Sequence, residues 1–127
     1  MRNYLRNIIS HLIRTNHRKE YELIKSIDSK EKLEKFKTDY LSKLLIHAYT
    51  NNKYYRKIFD GIDIINNGSV DLKKFTEIPL LTKDIIKQNR ENLISNDLKH
   101  RRYYKNTSGG STGEPLQFFQ DLNYSKW

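Results

Sequence analysis

Cysteine is absent from the 127-residue chain. That excludes disulfides and thiolate metal sites, and it leaves the redox compartment undetermined by this route. No apolar run approaches the roughly 20 residues that a membrane span needs. The N-terminus, Met1-Arg2-Asn3-Tyr4-Leu5-Arg6-Asn7-Ile8-Ile9, carries charge but no continuous apolar region. It therefore predicts no signal peptide and a cytoplasmic protein. Without a secretory signal, the Asn-x-Ser/Thr sequons at Asn67, Asn106 and Asn123 read as chance matches. There is no internal repeat and no low-complexity linker, and alanine occurs once, at Ala48.

What the chain has in quantity is charge. Charged residues make up 31% and hydrophobic residues 36%, so any core is modest. Lys plus Arg is 24 against 15 for Asp plus Glu, a net charge of +9. Such a balance suits nucleic acid or an anionic membrane surface. The distribution points elsewhere, because basic residues are spread along the whole chain and the longest cluster, His100-Arg101-Arg102, is short. Lysine interleaved with Ile and Asn reads as a solvated basic surface, with nucleic acid not expected as a partner.

Periodicity divides the chain into a leader at 1–27, a helical subdomain at 28–100 and a strand–loop–strand at 103–119 within 101–127. In the leader, Tyr4, Leu5, Ile8, Ile9, Leu12 and Ile13 recur on one helical face, with Arg2, Arg6 and Arg14 opposite. That basic amphipathic helix over residues 1–14 is a candidate for peripheral membrane contact, although packing on the rest of the protein is the favoured reading. Asp28, with Glu31 three positions on, predicts a capped helix from about Ser29 to Thr50, ended by Asn51-Asn52. A short amphipathic turn or two over Tyr54–Phe59 is expected to close at Asp60-Gly61. Asn67-Gly68 is the strongest turn signal. Ser69 is expected to cap a short helix over Val70–Phe75, and Ile78-Pro79-Leu80-Leu81 to be extended. Thr82 opens a helix to about Arg90. Tyr103-Tyr104 and Leu116–Phe119 are β-like, and Asp121 is a candidate cap for one more helix. Tyr54, Tyr55 and Phe59 are expected as core aromatics, and His47 as a hydrogen-bonded packing residue.

The segment Thr107-Ser108-Gly109-Gly110-Ser111-Thr112-Gly113-Glu114-Pro115 carries the chemistry. Three glycines and four hydroxyls in seven positions suit a loop that wraps a phosphate. Glycine brings backbone N–H groups close to an anion, and the hydroxyls turn toward its oxygens. A Walker A loop fails, because Glu114-Pro115 stands where Lys-Ser/Thr is required. The Rossmann fingerprint fails because Ser108 occupies its first glycine position. Gly109-Gly110-Ser111-Thr112-Gly113 fits the G-x-S-x-G elbow of α/β-hydrolases, but a strand-like segment follows where a helix is needed. The elbow's triad also needs a later histidine, whereas His11, His17, His47 and His100 all precede Ser111. What remains is a phosphate-gripping loop between two strands.

That pattern resembles the signature of adenylate-forming enzymes, whose Ser/Thr/Gly-rich hairpin loop ends in Gly-x-Pro. Gly110 is an extra glycine within the loop, and Leu116 stands where many members carry lysine. Both departures look like the phenylacetate–CoA ligase and capsule-synthesis branch. His47-Ala48-Tyr49 with Tyr54-Tyr55-Arg56, and Ile78-Pro79-Leu80-Leu81-Thr82-Lys83, are similar to that branch's segments in order and spacing. The resemblance extends from about Leu33 to Trp127.

It implies a mostly α region leading into the start of an α/β domain, as at the N-terminus of an adenylate-forming enzyme. It also implies ATP with Mg²⁺, a carboxylic acid activated as its acyl-adenylate, coenzyme A as a possible acceptor, and a link to capsular polysaccharide synthesis. The ATP phosphates would be held by Thr107, Ser108, Gly109, Gly110, Ser111, Thr112 and Gly113, with no catalytic residue assigned. In the family the adenine pocket, the acid that holds the ribose and a lysine-bearing mobile domain follow the loop, where this sequence has only Leu116–Trp127. The expectation is an N-terminal fragment that does not catalyse adenylation alone. A truncated-gene remnant or a small basic binding module are the alternatives.

Overall fold

The computed structural model describes residues 21–109 and 115–122. The amphipathic leader at 1–14 and loop residues Gly110–Gly113 therefore lie outside the described residues. The chain falls into two compact units, Met1–Tyr40 and Leu41–Trp127.

In the first unit residues 21–25 are helical, and helix α1 (Lys30–Asn51) begins. Its cap is one residue later than the sequence suggests, because Ser29 Oγ accepts from Lys32 N–H at 3.2 Å. Asp28 instead takes Lys32 Nζ at 2.8 Å, an exposed pair of the kind that contributes only a few tenths of a kcal/mol. Phe36 and Tyr40, one turn apart, stack at 4.2 Å.

The second unit is built on the rest of α1. Leu41, Leu45 and Ala48 share one face, and Leu45 is buried there with Phe59 and Ile64. Helix α2 (Lys53–Ile62) supplies Tyr55, Ile58, Phe59 and Ile62 at helical spacing against this cluster. The expected core role holds for Phe59, while Tyr54 and Tyr55 are half-buried. The helix runs past Asp60-Gly61 because the left-handed residue that ends it is Asp63 (φ 58°), whose N–H donates to the Phe59 carbonyl.

Asn52 is the buried polar residue at the α1–α2 corner. Its Oδ1 accepts from Tyr55 N–H at 3.1 Å and caps α2. Its Nδ2 donates to the Leu93 carbonyl at 2.7 Å. Tyr54 N–H to Asn92 O (3.1 Å) and Asn96 N–H to Asn51 O (2.7 Å) attach the same corner to the 92–96 segment.

Strands β1 (Ile65–Asn66) and β2 (Ser69–Val70) form a hairpin the sequence reading missed. Asn67 (φ 49°) and Gly68 (φ 76°) both take positive φ, as a two-residue type I′ turn requires. Ser69 is thus a strand residue, and Asp71 caps the following 3₁₀ helix, Leu72–Glu77. Ile78 is extended before Pro79, and Thr82 Oγ1 caps α3 (Lys83–Gln88) by accepting from Ile85 N–H, both as expected. After turns at 89–97 and a 3₁₀ turn at Leu98–His100 come β3 (Tyr103–Thr107) and β4 (Gln117–Asp121). They pair antiparallel from Tyr103↔Asp121 to Thr107↔Gln117. Asp121 ends β4, and the helix it was expected to cap would fall in residues 123–127, outside the described residues. The architecture is mostly α with two small antiparallel sheets.

Candidate phosphate-loop site

The strand–loop–strand read from the sequence is the β3–β4 hairpin. Past the last ladder pair, Ser108 closes its neck twice. Its N–H donates to the Leu116 carbonyl at 2.9 Å, and its Oγ accepts from Leu116 N–H at 3.0 Å. One acceptor position of this hydroxyl is therefore structural, while its proton remains available to donate. Thr107 ends β3, exposed, and its N–H takes Asn106 Oδ1 at 2.8 Å. Gly109 is exposed, and nothing lies within 4 Å of where a Cβ would stand. Of the sequence-predicted site residues, Thr107, Ser108 and Gly109 sit together at one foot of the loop. Gly110, Ser111, Thr112 and Gly113 fall outside the described residues.

Strand alternation sorts the hairpin into two faces. Tyr103, Lys105 and Thr107 lie opposite Asp121, Phe119 and Gln117 on one of them. This face meets the 86–101 segment. Tyr103 and Phe119 pack edge to face at 5.2 Å. Ile86, Leu93, Leu98 and Phe119 help line a cavity of about 290 Å³ there, with Arg90 and Gln117 in its wall. At the loop end of the face Arg90 donates a guanidinium N–H to Gln117 Oε1. On the other face Asn106 Nδ2 donates to Gln120 Oε1 at 2.7 Å, and Tyr104 and Phe118 are exposed.

The opposite end of the hairpin is held by Asp97, which the sequence reading did not single out. Its Oδ1 accepts from Ser95 Oγ. Its Oδ2 receives Arg101 Nε at 2.9 Å, Arg101 Nη2 at 2.7 Å and His47 Nε2 at 3.0 Å. Donation from Ser95, then His47, then Arg101 holds the Asp97 carboxyl well below the usual carboxylate range. The same carboxylate raises the Arg101 guanidinium further above its usual value. Arg101 also reaches Asp121 at 3.6 Å, and Leu122 N–H donates to the Arg102 carbonyl at 3.0 Å. The hairpin base is thereby tied to α1 through His47. The Asp97–Arg101 spacing of four residues was the available sequence signal for this cluster.

Ser95, Asp97 and His47 do not form a nucleophile site. The hydroxyl donates to the carboxylate, not to the imidazole, so no base is placed to take its proton. Because Asp97 takes the Nε2 hydrogen, the nearby Arg101 Nη2 (3.1 Å) packs beside His47 without donating to it. His47 is the hydrogen-bonded residue the sequence suggested.

The first of the two upstream motifs also has scaffold roles. Arg56 donates to the carbonyls of Tyr49 (2.9 Å) and Thr50 (2.6 Å), closing the α1–α2 corner. Tyr49 O–H donates to Asp60 Oδ1 at 2.8 Å, which raises the phenol's pKa. In the second, Pro79 and Thr82 set the extended stretch and the start of α3.

Among the described residues no group of three or more His, Asp or Glu side chains is arranged to hold a metal ion, and no helix is long and apolar enough to cross a membrane. In the comparison with known proteins, no family model matches the chain and no curated protein is found similar to it.

Proposed function

We propose that this chain carries the ATP-phosphate-binding hairpin of a carboxylate-activating, acyl-adenylate-forming ligase, of the kind its loop and upstream motifs resemble. The observation that carries the reading is the hairpin itself. A Ser/Thr/Gly loop is held between two paired strands, with its neck closed by Ser108 and Leu116. A hydrolase elbow would need a helix directly after the loop, and β4 occupies that place.

The described foot of the loop fits a phosphate chemically. The Thr107 hydroxyl, the remaining Ser108 proton and the open approach at Gly109 place donors together, with nothing crowding the glycine. Mg²⁺ fits as an ion carried on the triphosphate with most of its waters, since such sites rarely use an all-protein cage. A ligase of this class joins the carboxylate to the α-phosphate and releases pyrophosphate. The loop residues would bind and orient the outer phosphates and follow the charge as it moves onto them.

The test is a titration of the isotope-labelled chain with ATP and, separately, with AMP, followed by amide resonances. ATP is expected to shift Thr107, Ser108 and Gly109, and AMP, which lacks the outer phosphates, to leave them in place. Equal shifts with both nucleotides, or none with ATP, would overturn the reading.

A further inference from the structure

The segment Thr107–Pro115 contains no lysine or arginine. A triphosphate carries several negative charges, and backbone N–H groups and hydroxyls offer only partial ones. A guanidinium or ammonium from elsewhere in the fold would complement the outer phosphates beside any Mg²⁺ carried on them.

We infer that Arg90, delivered from the turn after α3, is the phosphate-binding cation of this loop. The inference rests on the reading of the hairpin as a phosphate site. Gln117 is the first residue of β4 and stands directly opposite Thr107. Residues opposite each other in an antiparallel pair point to the same face, so the Arg90–Gln117 hydrogen bond places the guanidinium on the Thr107 side of the hairpin, at the loop end. Arg90 is exposed, and of the five N–H donors of a guanidinium it gives one to Gln117. The remaining fork matches the spacing of two phosphate oxygens, which a lysine ammonium does not. Gln117 thus acts as a positioning residue that aims the guanidinium.

Arg101 and Lys105 are also associated with this face, and the geometry sets both apart from Arg90. Arg101 lies at the far end and is paired with Asp97 and Asp121. Lys105 is on the Thr107 face but two residues further down β3, about 7 Å from Thr107 along the strand.

The probe is inorganic tripolyphosphate, which removes any contribution from adenine or ribose. Its affinity is measured by calorimetry for the chain and for Arg90→Gln, Arg90→Lys, Lys105→Gln and Gln117→Ala. Arg90→Gln is expected to weaken binding about tenfold and Arg90→Lys to recover part of that loss. Lys105→Gln should stay within about threefold of the parent, and Gln117→Ala, which frees the guanidinium but keeps its charge, should lose clearly less than Arg90→Gln. A Gln117→Ala loss as large as that of Arg90→Gln would mean that Arg90 only anchors the hairpin, and would overturn the inference. A Lys105→Gln loss exceeding that of Arg90→Gln would overturn it too.

Should Arg90→Gln fail to fold, the unmodified chain decides. The Arg90 Nε–H resonance must shift with tripolyphosphate together with the Gly109 amide. A Gly109 shift without an Arg90 shift refutes the cation role and leaves the loop reading standing. No shift at either position, with no binding of tripolyphosphate, refutes the loop reading and the inference together.

Discussion

Two polar side chains decide how the second unit is held. Asn52 satisfies three segments at once: its own corner, the start of α2 through Tyr55, and the 89–93 turns through Leu93. It is 8% exposed, so a truncated partner would leave its groups with little water to replace it. Asn52→Ala is expected to lose about 1–3 kcal/mol in urea unfolding, and a loss under about 0.5 kcal/mol would show the corner to be held by apolar contacts alone. Asp97 adds a pH dependence with a definite sign. Its folded-state pKa lies below its unfolded value, so its contribution is present above the ordinary carboxylate value near 4 and declines as pH falls through and below it. The parent should therefore lose stability between about pH 5 and pH 2, and Asp97→Asn should start lower at pH 7 and lose less across that window. Parallel pH profiles for the two proteins would refute the assignment.

Among the elements, the difference between what was legible and what was not follows from the range of the interactions. Elements set by local chemistry were legible. Thr82 caps α3, Pro79 enforces an extended residue before it, and β-rich runs flank the glycine loop. Boundaries that depend on partners elsewhere were not. The stop of α2 moved from Gly61 to Asp63 because the helix continues to bury Ile62 against the core. Ser69 looks like a cap, yet Asn67-Gly68 turns the chain so tightly that Ser69 pairs with Asn66. Half of the candidate site was readable as residue types in the loop. Its supports were not, since Arg90 meets Gln117 across 27 positions and His47 meets Asp97 across 50. Two element-level predictions follow from these assignments. Gly68→Ala places a side chain at φ 76° and should cost about 1 kcal/mol, with Gly61→Ala, in the last turn of α2, neutral or stabilising. Ser108→Ala removes the acceptor for Leu116 N–H and should speed hydrogen exchange at that amide while leaving Phe119 unchanged. Unaltered exchange at Leu116 would show that the neck is closed by the backbone bond alone.

For the molecule as a whole the balance of apolar surface sets the expectation. In the second unit only Leu45, Phe59 and Ile64 are buried apolar side chains among the described residues. Leu44 (62% exposed), Leu80 (87%), Phe75, Leu81, Tyr103, Tyr104 and Phe118 stand in solvent. Each fully buried large apolar side chain contributes about 1.5–3 kcal/mol, against about 1–2 kcal/mol of backbone entropy for every residue ordered. A core of three such side chains, with a ring of half-buried ones around it, leaves little margin. The monomer is therefore expected to melt broadly, to bind the dye ANS before melting, and to show a heat-capacity increment well below the roughly 1.5–1.9 kcal/mol/K typical of a fully packed domain of this length. Calorimetry decides it. A sharp two-state transition with the full increment and no dye binding would mean that the exposed leucines and aromatics are not an uncovered face, and that this polypeptide folds as a self-sufficient domain. A broad transition that sharpens on adding ATP would instead show that nucleotide binding at the end of β3 is coupled to the packing beneath it, through the same Arg90 and Asp97 contacts that hold both ends of the hairpin.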